Sequence, residues 1–254
     1  MSAASESATI EFLKRIGDDR LVLGHRLSEW CGHGPILEED IALANIALDL
    51  LGQAAHALGL AGESLGEGAT ADSLAFFREA IEFRNIQLVE LPKGDFAFTI
   101  ARQFFFDALS VHLMDALQSS SDTRIAALAA KAVKEDRYHV RHSGDWMVKL
   151  GDGTEESHMR LQRAVDDLWR FTGEMFETDA VTDQLVAKRV TPDPSALRSK
   201  WDALVTDVLS RATIEKPADT FFVSGGRSGR HTEHLGHMLA EMQIVARSHP
   251  GAEW

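Results

Sequence analysis

Apolar residues at helical spacing run through nearly the whole of this 254-residue chain, and no segment shows the alternating pattern of a β-strand. Clusters of glycine, proline and serine divide the pattern, and most of the breaks are short. The pattern predicts helices over residues 9–30, 37–61, 72–90, 96–118, 123–150, 155–176, 180–189, 194–212 and 231–247. Short breaks are typical of antiparallel neighbours, so we expect one all-α domain over residues 1–254. In this up-down helical bundle the first, second, fourth and fifth helices form the core and the others flank it.

Composition excludes several classes of function. The net charge of -13 lacks the basic footprint that nucleic acid or an anionic membrane surface requires. The single cysteine, Cys31, rules out an internal disulfide, and no signal peptide or uninterrupted apolar stretch of about 18 residues is visible. A soluble cytoplasmic protein that binds neither nucleic acid nor membrane is therefore expected.

The second helix carries the most informative pair of residues. A di-iron site in a ferritin-like bundle takes Glu-x-x-His from two of its helices and a glutamate from each of the other two. At that spacing this helix has Leu50 and Gln53. An alkyl chain cannot bind a metal and a neutral amide binds one weakly. The pair, which we term the degenerate metal slot, predicts a ferritin-like bundle without a metal.

A second candidate half-site lies on the fifth helix. Asp136 and His139 stand three residues apart, and Glu135 precedes His139 by four. They are either the remnant of a metal half-site or part of an interhelical salt-bridge network around Arg137 and Arg141.

Three further motifs have weaker signals. Glu155 and His158 open a helix, where the glutamate complements the helix dipole. The histidines of the segment 231–237 drift around their helix and favour capping over zinc binding. The glycine-rich segment 225–229 lacks the Lys-Ser/Thr ending of a phosphate loop, so it is either a mobile surface loop or an anion cradle.

Four strings of residues together resemble one family. They are Leu27-Ser-Glu-Trp-Cys-Gly-His33, the run 38–53, Gly94-Asp-Phe-Ala97 with Ile100-Ala-Arg-Gln103, and His231-Thr-Glu-His-Leu-Gly236. The chain is similar over nearly its whole length to the structural C subunits of bacterial phenylacetyl-CoA epoxidases, which are ring-1,2-epoxidising multicomponent monooxygenases.

The resemblance implies a ferritin-like structural subunit without catalytic residues or a cofactor of its own. In that family the A subunit holds the di-iron centre and pairs with the C subunit. A reductase with FAD and a 2Fe–2S cluster supplies electrons from NADPH. The sister helix reads Asp-Glu-x-Gly-His where this chain has Asp49-Leu-Leu-Gly-Gln53. Phenylacetate degradation in the cytoplasm, within a heteromeric complex, is the expected setting.

The coenzyme A arm of the substrate crosses the outside of the catalytic subunit, so the resemblance also implies peripheral contacts with this chain. Arg84 supplies a guanidinium that pairs with phosphate, unless it pairs with Glu82 or another acid. The candidate contacts are Glu82, Phe83, Arg84, Asn85, Thr182, Asp183 and Gln184.

Two rival functions remain open. One is a di-metal oxidase or oxygenase in its own right, which would use Asp49, Asp107, Glu135, Asp136 and His139. The other is a stand-alone module that binds acyl-CoA.

Overall fold

The computed structural model of the chain describes residues 3–252, and every regular element in that range is helical. Its α-helices are α1 (Ala3–Ser28), α2 (Leu37–Leu65), α3 (Ala71–Phe76), α4 (Gln87–Glu90), α5 (Phe96–Leu117), α6 (Thr123–Gly151), α7 (Glu155–Trp169), α8 (Ala180–Ala187), α9 (Pro194–Arg211) and α10 (Glu233–Ser248). Short 3₁₀ turns lie at Ala80–Glu82, Gly173–Phe176 and Gly226–Ser228. The all-α prediction is confirmed, and the fold is consistent with a ferritin-like helical bundle. The four predicted long helices correspond to α1, α2, α5 and α6.

The predicted helix over residues 72–90 is wrong. The chain forms α3, a 3₁₀ turn and the single turn α4 instead. Two carboxylates of α1 explain the break, since the backbone N–H of Arg84 donates to Asp18 and that of Ile86 donates to Asp19. Those amide groups would serve the ladder of a continuous helix, so tertiary hydrogen bonds replace local ones.

The predicted helix over residues 155–176 is shorter than expected. It ends at Trp169, and a 3₁₀ turn covers Gly173–Phe176. The hydroxyl of Thr172 donates to the carbonyl oxygen of Trp169 at 2.8 Å, which satisfies one of the carbonyls at the end of α7.

The described residues divide into two compact units. Unit 1 comprises residues 3–92 and 224–252, and unit 2 comprises residues 93–223. The prediction of one domain over the whole chain stays a prediction.

Unit 1 is built on the antiparallel pair of α1 and α2. Gly17 and Gly24 let the two helices approach closely, because a Cβ atom would stand 2.6 Å from Leu58 at the first position and 3.0 Å from Leu51 at the second. The C-terminal segment returns to this pair through Arg227, whose guanidinium lies 2.8 Å from Asp19. The segment 225–229 is therefore tied to α1 through Arg227.

Unit 2 is built on α5 and α6, with α7 and α9 packed against them. Asp95 caps α5 as a hydrogen-bond acceptor from the backbone N–H of Phe98 at 2.9 Å. Phe105 lies in an aromatic group with Trp169 and Trp201, and the indole N–H of Trp201 donates to the carbonyl oxygen of Phe105 at 2.9 Å. That bond satisfies the one polar atom of a fully buried indole.

Within the described range, α2 alone has the length and apolar composition of a membrane span, and half of that stretch is buried inside the protein. Buried core helices have the same composition, so this feature is weak evidence for a membrane. The apolar composition of α2 also means that its solvent-exposed side carries several large apolar residues.

Candidate functional site

The degenerate metal slot lies on the side of α2 that faces α1. Leu50 is fully buried there, and Gln53 is 5% exposed. Arg20 of α1, itself 1% exposed, donates its Nε–H to Gln53 Oε1 at 2.6 Å. A second guanidinium nitrogen, Nη1, lies 3.4 Å from the carbonyl oxygen of Ile16. The slot of unit 1 therefore holds a hydrogen-bonded guanidinium.

This donor set does not fit iron. Arg20 keeps its positive charge at any ordinary pH and has no acceptor atom with which to ligate a cation. Leu50 offers only carbon atoms. The amide oxygen of Gln53 already accepts a hydrogen bond from Arg20. A metal ion in the slot would face a like charge in a medium of low dielectric, where repulsion is strong.

Arg20 is the residue that reasoning from sequence missed. It follows two acids in Gly17-Asp-Asp-Arg20, and such a polar run in a long helix is usually read as a solvated face. The available signal was its position directly before the apolar run Leu21-Val-Leu23, in a helix whose neighbouring turns are apolar.

Unit 2 contains a second polar arrangement, which we call the acid–histidine cluster. Asp136 and His139 of α6 lie together, with 3.8 Å between Oδ1 and Nδ1, and Ser110 of α5 donates to Asp136 Oδ2 at 2.6 Å. Asp107 of α5 accepts from Ser143 at 2.8 Å and from Gln103 at 2.7 Å. All of these side chains are essentially buried: Gln103, Asp107, Ser110, Asp136, His139 and Ser143.

The carboxyl group of Asp107 has the most altered acidity in the cluster. Burial raises its pKa from 3.8 to about 7, and the nearby charge of Asp136 acts in the same direction. His139 and the hydrogen bonds from Ser143 and Gln103 oppose that rise and lower the pKa. Asp107 therefore exchanges its proton near neutral pH.

The segment around Asp136 has an exposed charged side and a buried side. Arg137 is exposed on the outer side of α6, 3.3 Å from Asp115 of α5, whereas Asp136 and His139 are buried. Glu135 is half-buried on the same helix. No group of three or more His, Cys, Asp or Glu side chains in residues 3–252 is arranged to hold a metal ion. The remnant half-site stays a prediction.

The residues proposed for the rival oxygenase belong to both units. Asp107 joins Asp136 and His139 in the acid–histidine cluster of unit 2. Asp49 belongs to α2 of unit 1, where it is half-buried.

The candidate coenzyme A contacts near residue 84 are mostly occupied with internal roles. Arg84 Nε lies 2.9 Å from Glu11, so its partner is an acid other than Glu82. Glu82 accepts from the backbone N–H of Glu79 at 2.7 Å. Phe83 and Asn85 are fully buried. Contact between this segment and coenzyme A stays a prediction.

The second candidate segment forms the first turns of α8. The backbone N–H and hydroxyl of Thr182 both donate to the capping residue Asp179. Asp183 is exposed and Gln184 is half-buried. This segment too stays a prediction.

Two histidine motifs have structural roles. His231 Nδ1 lies 3.0 Å from Glu90 Oε2, and its Nε2 lies 3.1 Å from the carbonyl oxygen of Phe83. His158 Nδ1 lies 2.8 Å from the carbonyl oxygen of Gly151. These contacts join the starts of α10 and α7 to neighbouring backbone, as expected for capping and packing.

Fold and slot together define a class: an all-α, ferritin-like protein in which Gln53, at the spacing of a metal-ligand pair, accepts a hydrogen bond from Arg20. The particular family follows from comparison with known proteins. The chain belongs to the phenylacetic acid catabolic protein family, whose model matches residues 1–254. It is 50% identical over 240 residues to the C subunit of 1,2-phenylacetyl-CoA epoxidase from Escherichia coli (strain K12), across 94% of this chain and 96% of that protein. The resemblance inferred from the sequence strings is confirmed.

Proposed function

We propose that this chain is the non-catalytic structural subunit of a phenylacetyl-CoA 1,2-epoxidase complex in aerobic phenylacetate degradation. The chain supports a di-iron catalytic A subunit and binds no metal itself. The carrying observation is the hydrogen bond from Arg20 to Gln53 in the slot, since a fixed cation there opposes metal binding. The similarity to the C subunit of 1,2-phenylacetyl-CoA epoxidase supports the choice of complex and substrate.

Physical chemistry explains why a subunit without a metal would have Leu50 and Gln53 in place of a glutamate and a histidine. A buried carboxylate without a metal would cost several kcal/mol in desolvation, or would have to hold a proton. A fully buried leucine in its place contributes about 2 kcal/mol of hydrophobic stabilisation. The exchange suits a subunit whose task is to keep a rigid fold beside its partner.

The remaining parts of the proposal concern the complex. The di-iron centre belongs to the A subunit, and NADPH, FAD and a 2Fe–2S cluster belong to a reductase. Phenylacetyl-CoA touches this chain at most peripherally, because Arg84 pairs with Glu11 and Phe83 and Asn85 are buried. We place the complex in the cytoplasm, in keeping with its similarity to a subunit of a catabolic enzyme.

The test compares the chain alone with the chain in its complex. Metal analysis of the purified chain should find iron, manganese and zinc well below stoichiometric amounts, and oxygen-dependent turnover of phenylacetyl-CoA should require the A subunit. Co-expression should yield a complex that co-purifies. Stoichiometric di-iron with turnover by the chain alone would reject the proposal.

The same preparation tests the hypothesis of a stand-alone module that binds acyl-CoA. Calorimetry with coenzyme A should show weak or no binding to the chain alone. A variant, Arg84→Ala, is the matched control, since an acyl-CoA-binding module that uses this guanidinium would lose its binding signal on substitution.

A further inference from the structure

The outward face of α2 carries a continuous row of uncharged residues. We call it the outer stripe, and it consists of Leu37, Ile41, Leu48, Gly52, Ala55 and Gly59. Leu37, Ile41 and Leu48 are 73%, 53% and 66% exposed, although aliphatic side chains of this size are usually buried in the core. A Cβ atom added at Gly52 or Gly59 would meet nothing within 4 Å. The stripe is therefore open to solvent from Leu37 to Ala55 and partly open at Gly59.

The spacing of the stripe matches the packing face of a helix. Successive members stand three, four or seven residues apart, which places them on one side of α2. The row runs for about 33 Å at the usual helical rise. Large side chains occupy its first half and small ones its second half, so another helix can insert side chains at Gly52 and lay its own over Leu48.

One edge of the stripe carries three acids, together with the exposed residues Asn45 and His56. Glu38 and Glu63 are exposed on the same side of α2, and the half-buried Asp49 lies between them along that edge. An antiparallel pair of two copies would place this acidic edge against itself, since a twofold interface repeats the same patch on both partners. Two copies would also bring together chains that each carry a net charge of -13. The charges therefore favour a different chain with Lys or Arg along the matching edge.

We propose that the outer stripe of α2 docks a helix of another polypeptide, with an apolar centre and a basic edge. The inference rests on the proposed function and assigns that helix to the di-iron subunit of the complex. Burial of Leu37, Ile41 and Leu48 against that helix supplies the apolar centre of the interface. The acidic edge sets its orientation and speeds encounter.

The experiment measures the affinity between the purified full-length chain and the di-iron subunit by sedimentation and calorimetry. Leu48→Glu places a charge at the centre of the stripe and should weaken binding by about 30-fold or more. Met159→Glu makes the same change at a residue of unit 2 that is 55% exposed, and should bind as the unmodified chain does. Glu38→Lys with Glu63→Lys should weaken binding by about 10-fold at low salt and much less at high salt.

Gly52→Gln guards against an effect on folding. Glutamine favours a helix more than glycine does, so the melting temperature should not fall. Its side chain projects into the space where the partner's helix approaches, and the affinity should fall by about 10-fold or more.

Each other outcome overturns the inference in a recognisable way. A complex that forms and is indifferent to Leu48→Glu and Gly52→Gln removes the stripe from the interface but leaves the proposed function. No complex with the unmodified chain overturns both. Self-association of the chain alone that Leu48→Glu abolishes assigns the stripe to a second copy. Flotation with phosphatidylcholine vesicles that depends on Leu48 assigns it to a membrane.

Discussion

Arg20 and Gln53 form a buried hydrogen bond of 2.6 Å between Nε and Oε1, and this bond joins α1 to α2 at the degenerate metal slot. A hydrogen bond with a charged donor in a low-dielectric interior is stronger than a neutral one. The guanidinium fills space and supplies positive charge beside Gln53. The Arg20–Gln53 pair therefore has a structural role, because it links two core helices of unit 1.

The first prediction concerns the strength of this link. Arg20→Met should lower the free energy of unfolding by about 2–3 kcal/mol, because the buried oxygen of Gln53 loses its charged donor. Arg20→Met combined with Gln53→Leu should cost less than the sum of the two single changes, with a coupling energy of about 1–2 kcal/mol. Urea denaturation of the four proteins measures the cycle. Strictly additive effects would show that the two residues do not depend on each other.

The second prediction concerns restoration of the ligands. Leu50→Glu with Gln53→His should not bind Co²⁺ tightly, because the guanidinium of Arg20 repels a cation in the slot. The triple variant that adds Arg20→Ala should bind Co²⁺ at least ten times more tightly than the double variant. Titration followed by the visible absorption of Co²⁺ compares them. Equal affinities in the two proteins would mean that Arg20 does not exclude the metal.

The third prediction uses two leucines on the same helix. Leu50 is fully buried and Leu48 is exposed on the outer stripe. Leu50→Ala should destabilise the isolated chain by about 2–5 kcal/mol, since it leaves a cavity in the core. Leu48→Ala should change stability by less than about 0.5 kcal/mol. Urea denaturation of the chain without its partner is the measurement. A comparable loss in both variants would contradict the assigned orientation of α2.

The fourth prediction concerns pH. The pKa of Asp107 is raised to about 7 by burial, above its ordinary value of 3.8, so the folded state keeps a proton that the unfolded state releases. Stability from this group is fully present below about pH 4 and is lost as the pH rises through 7. Asp107→Asn removes this dependence. The variant should therefore gain about 3 kcal/mol relative to the unmodified chain between pH 4.5 and pH 8.

Urea denaturation at several pH values tests that prediction. Asp115→Asn is the matched control, because Asp115 is an exposed acid on the same helix. Its stability relative to the unmodified chain should stay nearly constant over this range. A constant difference for Asp107→Asn as well would show that Asp107 does not titrate near neutral pH.

Local signals were enough to predict most of the helices. Asp95 and Thr154 cap α5 and α7 with their own side chains, and the sequence shows such caps directly. The segment after α3 was not predictable in this way, because its amide groups bond to Asp18 and Asp19 of a distant helix. Propensity describes residues in isolation, and here tertiary contacts override it.

The candidate site was also only partly predictable from the sequence. The spacing on one helix identifies Leu50 and Gln53, because both belong to α2. Arg20 and Asp107 enter their arrangements from other helices, and their roles depend on the register between α1 and α2 and between α5 and α6. A sequence pattern within one helix holds no information about that register.

Unit 1 is assembled from both halves of the polypeptide, and this has a consequence for its synthesis. Asp19 pairs with Arg227, 208 residues later, and Glu90 pairs with His231, 141 residues later. Until residues 227 and 231 have been synthesised, both buried acids lack these partners. The contacts that tie Arg227 and His231 to the N-terminal part of unit 1 therefore form only after the residues of unit 2 have been synthesised.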